Sequence, residues 1–180
     1  MLYRDRRSGR FEAQQLDFLP AGASNVTAVD IDNDGWHDLL WRHGGNLHQA
    51  LSRKGTYRGA TVLNAPDGDF ALADLENRGY SDLIVAGKVL RNLGQGQWAA
   101  PASLEGVGTA LPAAADFNSD GRLDLVSKSG SGLRIATNQT SSANKSITIG
   151  LKGTKNLVTA LYAEVEIKAG LVYQKKIYHG

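Results

Sequence analysis

The sequence contains no cysteine. That excludes a disulfide framework and any thiolate metal site, and it leaves the compartment open. No apolar run approaches the ~18–20 residues that a membrane-spanning helix requires. A Gly-x-Ser-x-Gly elbow, a P-loop and a dinucleotide fingerprint are all missing. The four histidines, His37, His43, His48 and His179, show no zinc-site spacing, and His43 and His48 flank Gly44-Gly45 as exposed turn residues. The chain does have the means to fold: 42% of its 180 residues are hydrophobic, ordinary for a globular protein. Its 21 glycines fit an all-β architecture with many turns.

Acidic residues are few but concentrated. Asp30-Ile31-Asp32-Asn33-Asp34-Gly35-Trp36-His37-Asp38 places carboxylates at positions 1, 3, 5 and 9 of a nine-residue loop. Side chains packed that closely repel one another unless a cation sits among them. Four hard oxygen donors suit Ca²⁺, which takes six to eight oxygens at roughly 2.3–2.6 Å. Gly35 stands where a chain wrapping an ion turns sharply. The backbone carbonyl of Trp36 is the expected fifth ligand, with Asn33 and His37 facing away. An EF-hand would need Glu at position 12, where this chain has Trp41. Leu39-Leu40-Trp41 instead reads as a buried strand, so the loop joins two strands.

The loop recurs at Asp74–Asp82 and Asp116–Asp124, 44 and then 42 residues further on. Leu83-Ile84-Val85 and Leu125-Val126 follow the later copies as Leu39-Leu40 follows the first. Phe11, Tyr57 and Trp98 precede successive loops by 19, 17 and 18 residues, and Leu2-Tyr3-Arg4-Asp5 echoes Val89-Leu90-Arg91-Asn92. A period of 40–45 residues built from short strands predicts propeller blades.

The copies differ in chemistry. The third keeps Asp116, Asp120 and Asp124, replaces the second acid with Asn118, and offers the Arg122 backbone carbonyl. Its lower charge predicts weaker Ca²⁺ binding. In the second copy, which has Asp74, Glu76 and Asp82, Arg78 occupies position 5. A guanidinium cannot ligate a cation but pairs with carboxylates in fork geometry. Arg78 is therefore expected to replace the ion; the alternative is that it swings outward and water fills the gap.

These residues resemble FG-GAP/VCBS-type β-propeller repeats over roughly residues 1–140. Ile147–Asn156 and Ala163–Gly170 resemble the ASPIC/UnbV segment that follows such repeats in cartilage-acidic-protein-like chains, although Leu161-Tyr162-Ala163 stands where that pattern has a small-Gly-Ala turn. The resemblance implies three blades and a fragment of a partial propeller, then a C-terminal β module over 141–180. The polar Asn138–Asn144 stretch is read as the linker or long surface loop between them. Three motifs do not close a ring of four to eight blades, so the chain is expected to be part of a longer one. An open solenoid or an oligomer that completes the ring is the alternative.

Ten of the eighteen acids lie in the three loops, against only Arg78 and Arg122 of the twenty bases. Outside the loops eighteen bases face eight acids, a balance of +10. Such a surface is either simply solvated or drawn to anionic glycans and acidic envelopes. The resemblance implies an extracellular, cell-surface or periplasmic scaffold, stabilised by Ca²⁺ and non-enzymatic, that recognises proteins or surfaces without nucleic acid or a membrane span. Two competitors stand beside it. A glycan-binding module would use Trp41, Trp98 and Tyr57 as platforms, though the periodicity of Tyr57 and Trp98 reads first as packing. A polysaccharide-degrading enzyme would need an acid pair such as Asp67 and Asp69, which the turn Pro66-Asp67-Gly68-Asp69 explains more simply.

Overall fold

In strand β10 (Asp82–Val85) successive side chains point to opposite faces, as the two-residue period of a strand requires. Leu83 and Val85 pack with Leu47 and Leu90 on one side, and Ile84 packs with Ala73 and Leu125 on the other. This apolar strand therefore glues two neighbouring sheets to its own. The computed structural model describes residues 1–153, 160, 163–170 and 172–178.

All the described elements are strands. An opening hairpin, β1 (Leu2–Asp5) and β2 (Phe11–Gln14), precedes unit one. Unit one has β3 (Ser24–Val29), β4 (Asp38–His43) and β5 (Asn46–Ala50), then the short hairpin β6 (Ser52–Arg53) and β7 (Thr56–Tyr57), then β8 (Thr61–Leu63). Unit two repeats the plan with β9 (Phe70–Ala73), β10, β11 (Lys88–Leu90), the hairpin β12 (Asn92–Gly94) and β13 (Gln97–Trp98), and β14 (Ala102–Ser103). Unit three has β15 (Ala110–Ala115), β16 (Asp124–Ser129) and β17 (Gly132–Ala136). A last hairpin pairs β18 (Glu164–Ala169) with β19 (Val172–Ile177).

Units one and two are four-stranded antiparallel sheets in the orders β3-β4-β5-β8 and β9-β10-β11-β14; unit three has three strands. This is the blade-like, all-β plan that the repeat predicts. No closed ring forms among the described residues. The weak echoes in the sequence turn out to be one structural position. Asp5 pairs with Phe11, Ser52 with Tyr57 and Asn92 with Trp98 across equivalent hairpins.

Three apolar clusters hold the units together. Leu16, Leu39, Trp41 and Ala50 join the segment after the opening hairpin to unit one, with Phe18 and Tyr57 against them. The second and third clusters lie on either side of β10. Burying each Leu or Ile contributes roughly 1.5–3 kcal/mol. Trp41 is fully buried, and His48 stacks on it at a centroid distance of 5.4 Å. His48 is therefore a packing residue, which corrects its reading as an exposed turn histidine; His43 is half-buried too.

Side-chain amides reinforce the apolar contacts. Asn92 Nδ2 donates to Ile31 O at 2.9 Å and to Ser81 O at 3.2 Å, while its Oδ1 accepts from Gly94 N. Asn138 repeats this one unit later, donating to Leu75 O at 2.8 Å and Leu123 O at 3.1 Å and accepting from Thr140 N. Each asparagine thus reaches back to the loop of the preceding unit. Asn33 and Asn77 reach forward, to Gly79 O at 2.9 Å and Gly121 O at 3.0 Å.

The Asn138–Asn144 stretch forms no strand, but it is tied down: Ser142 Oγ and Asn144 Nδ2 both donate to Glu76 O. Residues 147–153 form no strand either, while 154–156, 161, 162 and 171 lie outside the described residues. The β18–β19 hairpin reaches loop one. A Cβ on Gly35, where φ is +86°, would come 3.0 Å from the Tyr173 hydroxyl, so both conformation and space call for glycine there.

Asn92 is fully buried, and removing its amide strands the Ile31 and Ser81 carbonyls. Asn92→Ala is expected to cost roughly 2–3 kcal/mol in urea unfolding. A cost near zero would mean that these bonds do not join the units.

Candidate metal centre

Two of the acidic positions in each loop serve the backbone. The first carboxylate accepts the N–H groups of positions 5 and 6: Asp30 from Asp34 and Gly35, Asp74 from Arg78 and Gly79, Asp116 from Asp120 and Gly121. The last carboxylate accepts an N–H from the residue two positions past the end of the neighbouring strand: Asp38 from Ser52 at 2.7 Å, Asp82 from Asn92 at 2.9 Å, Asp124 from Asn138 at 2.8 Å. Asp38 and Asp124 also accept from Ile31 N and Phe117 N. These buried acids hold the loop closed onto its own strands.

Positions 3 and 5 distinguish the loops. In loop one, Asp30, Asp32 and Asp38 each bring an oxygen within 4.8 Å of the others. Oxygens that share one Ca²⁺ at about 2.4 Å can be at most about 4.8 Å apart, so the three fit a common ion. Asp32 Oδ1 is buried without a hydrogen-bond partner, an orphan that a cation would satisfy. Burial raises the Asp30, Asp32 and Asp38 carboxyls above their ordinary values, with neighbouring carboxylates adding to the shift. Asp38 is pushed up to about 7 against two backbone hydrogen bonds. Asp34 lies outside this trio, its Oδ1 accepting from Trp36 N at 2.9 Å. Asn33 points away from the acids toward unit two.

In loop two the guanidinium of Arg78 turns inward. Its NH2 donates to Asp82 Oδ1 at 2.6 Å and its NH1 to Asn92 O at 3.1 Å. Its Nε lies 3.1 Å from Glu76 Oε2, close enough for charge pairing but off line for a hydrogen bond. Arg91 takes the other Glu76 oxygen. Asp74 is occupied by backbone donors, and Arg78 does not pair with its side chain. Burial still raises the Asp82 carboxyl, opposed by the Asn92 N–H and the Arg78 charge.

Loop three is exposed. Asp120 is paired with Arg122 at 2.7 Å and accepts from Asn118 Nδ2 at 3.1 Å, so the Asn118 nitrogen faces the carboxylate. Its carboxyl is lowered, chiefly by the Arg122 N–H. Asp116, Asn118, Asp120 and Asp124 make no cluster like that of loop one among the described residues.

Of the aromatic platform candidates, Trp41 is fully buried, Trp98 packs beside Leu83 and donates to Gln49 Oε1, and Tyr57 packs near Trp41. Trp41 is wholly committed to the core, and Trp98 and Tyr57 are half-buried against it. Asp67 and Asp69 serve local geometry, accepting from Gly68 N and Asn25 Nδ2. Sequence reading missed the asparagines that connect the loops. Their signal was Asn33 and Asn77 at position 4, and Asn92 and Asn138 beyond the last acid of loops two and three.

A pH dependence follows for protein stripped of metal. The folded state holds a proton on Asp38 up to about pH 7, whereas an unfolded Asp releases it near its ordinary value of 3.8. The folded state thus binds more protons within that window, so stability falls as pH rises through it. Thermal melts of calcium-free protein should give a higher Tm near pH 5 than near pH 8. The opposite order would contradict the buried, uncompensated carboxyl.

Among known proteins, residues 74–127, which span loops two and three, match the model of the FG-GAP-like repeat family. No curated protein and no solved structure matches the chain. That matched segment begins at Asp74, just after β9, and ends at Ser127 within β16.

Proposed function

We propose that this chain is a calcium-stabilised, non-enzymatic β scaffold, made of propeller-type units, that serves recognition or adhesion at an extracellular, cell-surface or periplasmic location. One observation carries the reading. The orphaned Asp32 oxygen stands among three converging carboxylates in loop one, and Arg78 brings positive charge to the equivalent place in loop two. Asp30, Asp32 and Asp38 would hold Ca²⁺, with Asp34 and the Trp36 carbonyl completing the site. Asp116, Asn118, Asp120, the Arg122 carbonyl and Asp124 would form a weaker second site once Asp120 leaves Arg122. Loop two is metal-free in this reading.

The ion's role is structural. It neutralises charge at a turn that leads straight into the buried strand β4. Extracellular modules of this kind bind at roughly 10⁻⁴–10⁻³ M, a range that calcium-rich surroundings fill and a cytosol does not. The non-enzymatic reading is supported by the work the acids already do, since most of them cap backbone N–H groups. Residues 141–180 are proposed as an appended β module of ASPIC/UnbV type, whose described strands are the β18–β19 hairpin.

Calcium at about a hundredfold excess over its Kd should stabilise the fold by about 2.7 kcal/mol. Tb³⁺ should emit on excitation of Trp36 and lose that emission in Asp32→Asn. A Tm indifferent to calcium and chelator, together with silent Tb³⁺, would remove the metal from the account.

A further inference from the structure

Cations gather on two neighbouring hairpins. Residues 2–14 carry Arg4, Arg6, Arg7 and Arg10, and residues 52–58 carry Arg53, Lys54 and Arg58. Only Asp5 and Glu12 oppose these seven, leaving +5, half of the +10 outside the loops. Both acids are engaged: Glu12 pairs with Arg6, and Asp5 caps Arg7 N. Arg4 brings the hairpins side by side, donating to Gly55 O at 3.0 Å and to Gln14 Oε1 at 2.8 Å.

A cleft of about 440 Å³ opens at this junction, lined by Arg4, Asp5, Arg6, Trp36, His37 and Tyr57 among others, with two guanidinium groups against one carboxylate. Trp36 is the one tryptophan with an exposed ring, at 45%. It stands beside Gly55, where a Cβ would lie 3.8 Å from the indole. That is an ordinary van der Waals distance, so the ring lies against the turn of the second hairpin. Loop one holds the Trp36 backbone through Asp34, so the indole is placed by a fixed turn.

We propose that this cleft binds an acidic saccharide, a chain of sugar rings bearing carboxylate or sulfate groups. The apolar face of a sugar ring stacks on indole, and guanidinium groups take planar or multi-oxygen anions in fork geometry. Trp36 supplies the platform; Arg6 is engaged by Glu12 and Arg4 by Gln14 and Gly55, so an anion would meet their remaining N–H groups and the net positive charge of Arg7, Arg53 and Lys54 on the same hairpins. Single-stranded nucleic acid would instead use aromatics on which successive bases stack. The assignment rests on the reading of the chain as an extracytoplasmic recognition module, where such glycans are met. It moves the saccharide platform from Trp41, Trp98 and Tyr57 to Trp36.

The test is a calorimetric titration of the full chain in calcium-containing buffer. The probes are a heparin hexasaccharide, a hexagalacturonate, cellohexaose and a short oligothymidylate. The expected result is saturable binding of at least one acidic saccharide that weakens with added salt, with no binding of cellohexaose. The heparin and galacturonate arms decide between sulfate and carboxylate. Trp36→Ala should weaken binding roughly tenfold or more, the scale of one lost aromatic stacking contact, and Arg6→Ser should weaken it in the same direction. Both variants are compared only after calcium-dependent melting shows that they fold. Failure of both acidic saccharides to bind, affinity unmoved by Trp36→Ala, or equal Trp36-dependent binding of the oligothymidylate would each overturn the proposal. Such failure with calcium stabilisation intact would sink this site alone. Loss of calcium stabilisation in the unmodified chain would sink the scaffold reading instead.

Discussion

Like charge confined to a tight turn is the constraint that governs this molecule. Each loop brings three or four acidic side chains into nine residues, and a buried carboxylate must find hydrogen bonds or a cation. Backbone N–H groups answer for the first and last acids of every loop. The middle positions are answered differently: by a guanidinium in loop two, by an exposed Arg122 pair in loop three, and by no described side chain at Asp32 Oδ1 in loop one. Repeated architecture thus coexists with unequal electrostatics.

The loops do not act alone. Asn33 and Asn77 donate forward to the next loop's glycine carbonyl, and Asn92 and Asn138 donate back to the previous loop. Hydrogen bonds therefore run alongside the apolar seams formed by β4, β10 and β16. Whatever neutralises one loop bears on the order of its neighbours, because the same turns carry both the acids and the amides. In loop two the Arg78 guanidinium ties Asp82 to the Asn92 carbonyl.

Much of the fold was legible because it is periodic. The 44- and 42-residue spacings, the apolar runs after each loop and the phased aromatics correspond to three sheets and three equivalent hairpins. The inward turn of Arg78 could be posed as a choice from sequence, since only coordinates say which acids it reaches. Its choice of Asp82 and Glu76 over Asp74 follows from the backbone donors that already occupy Asp74. The inter-loop amides escaped notice because a carbonyl acceptor leaves no mark in sequence. The exposed Trp36 escaped as well, since its place in the loop motif drew attention to its backbone rather than its ring.

The central proposal is that loops one and two each close around a positive centre, a metal in loop one and Arg78 in loop two. Counting bound ions by equilibrium dialysis with radiolabelled calcium, for the unmodified chain and for Arg78→Asp, tests it most directly. The account predicts calcium bound to the unmodified chain and one additional ion per chain once the guanidinium is replaced by a carboxylate. No calcium on the unmodified chain, or an unchanged count in Arg78→Asp, would contradict it.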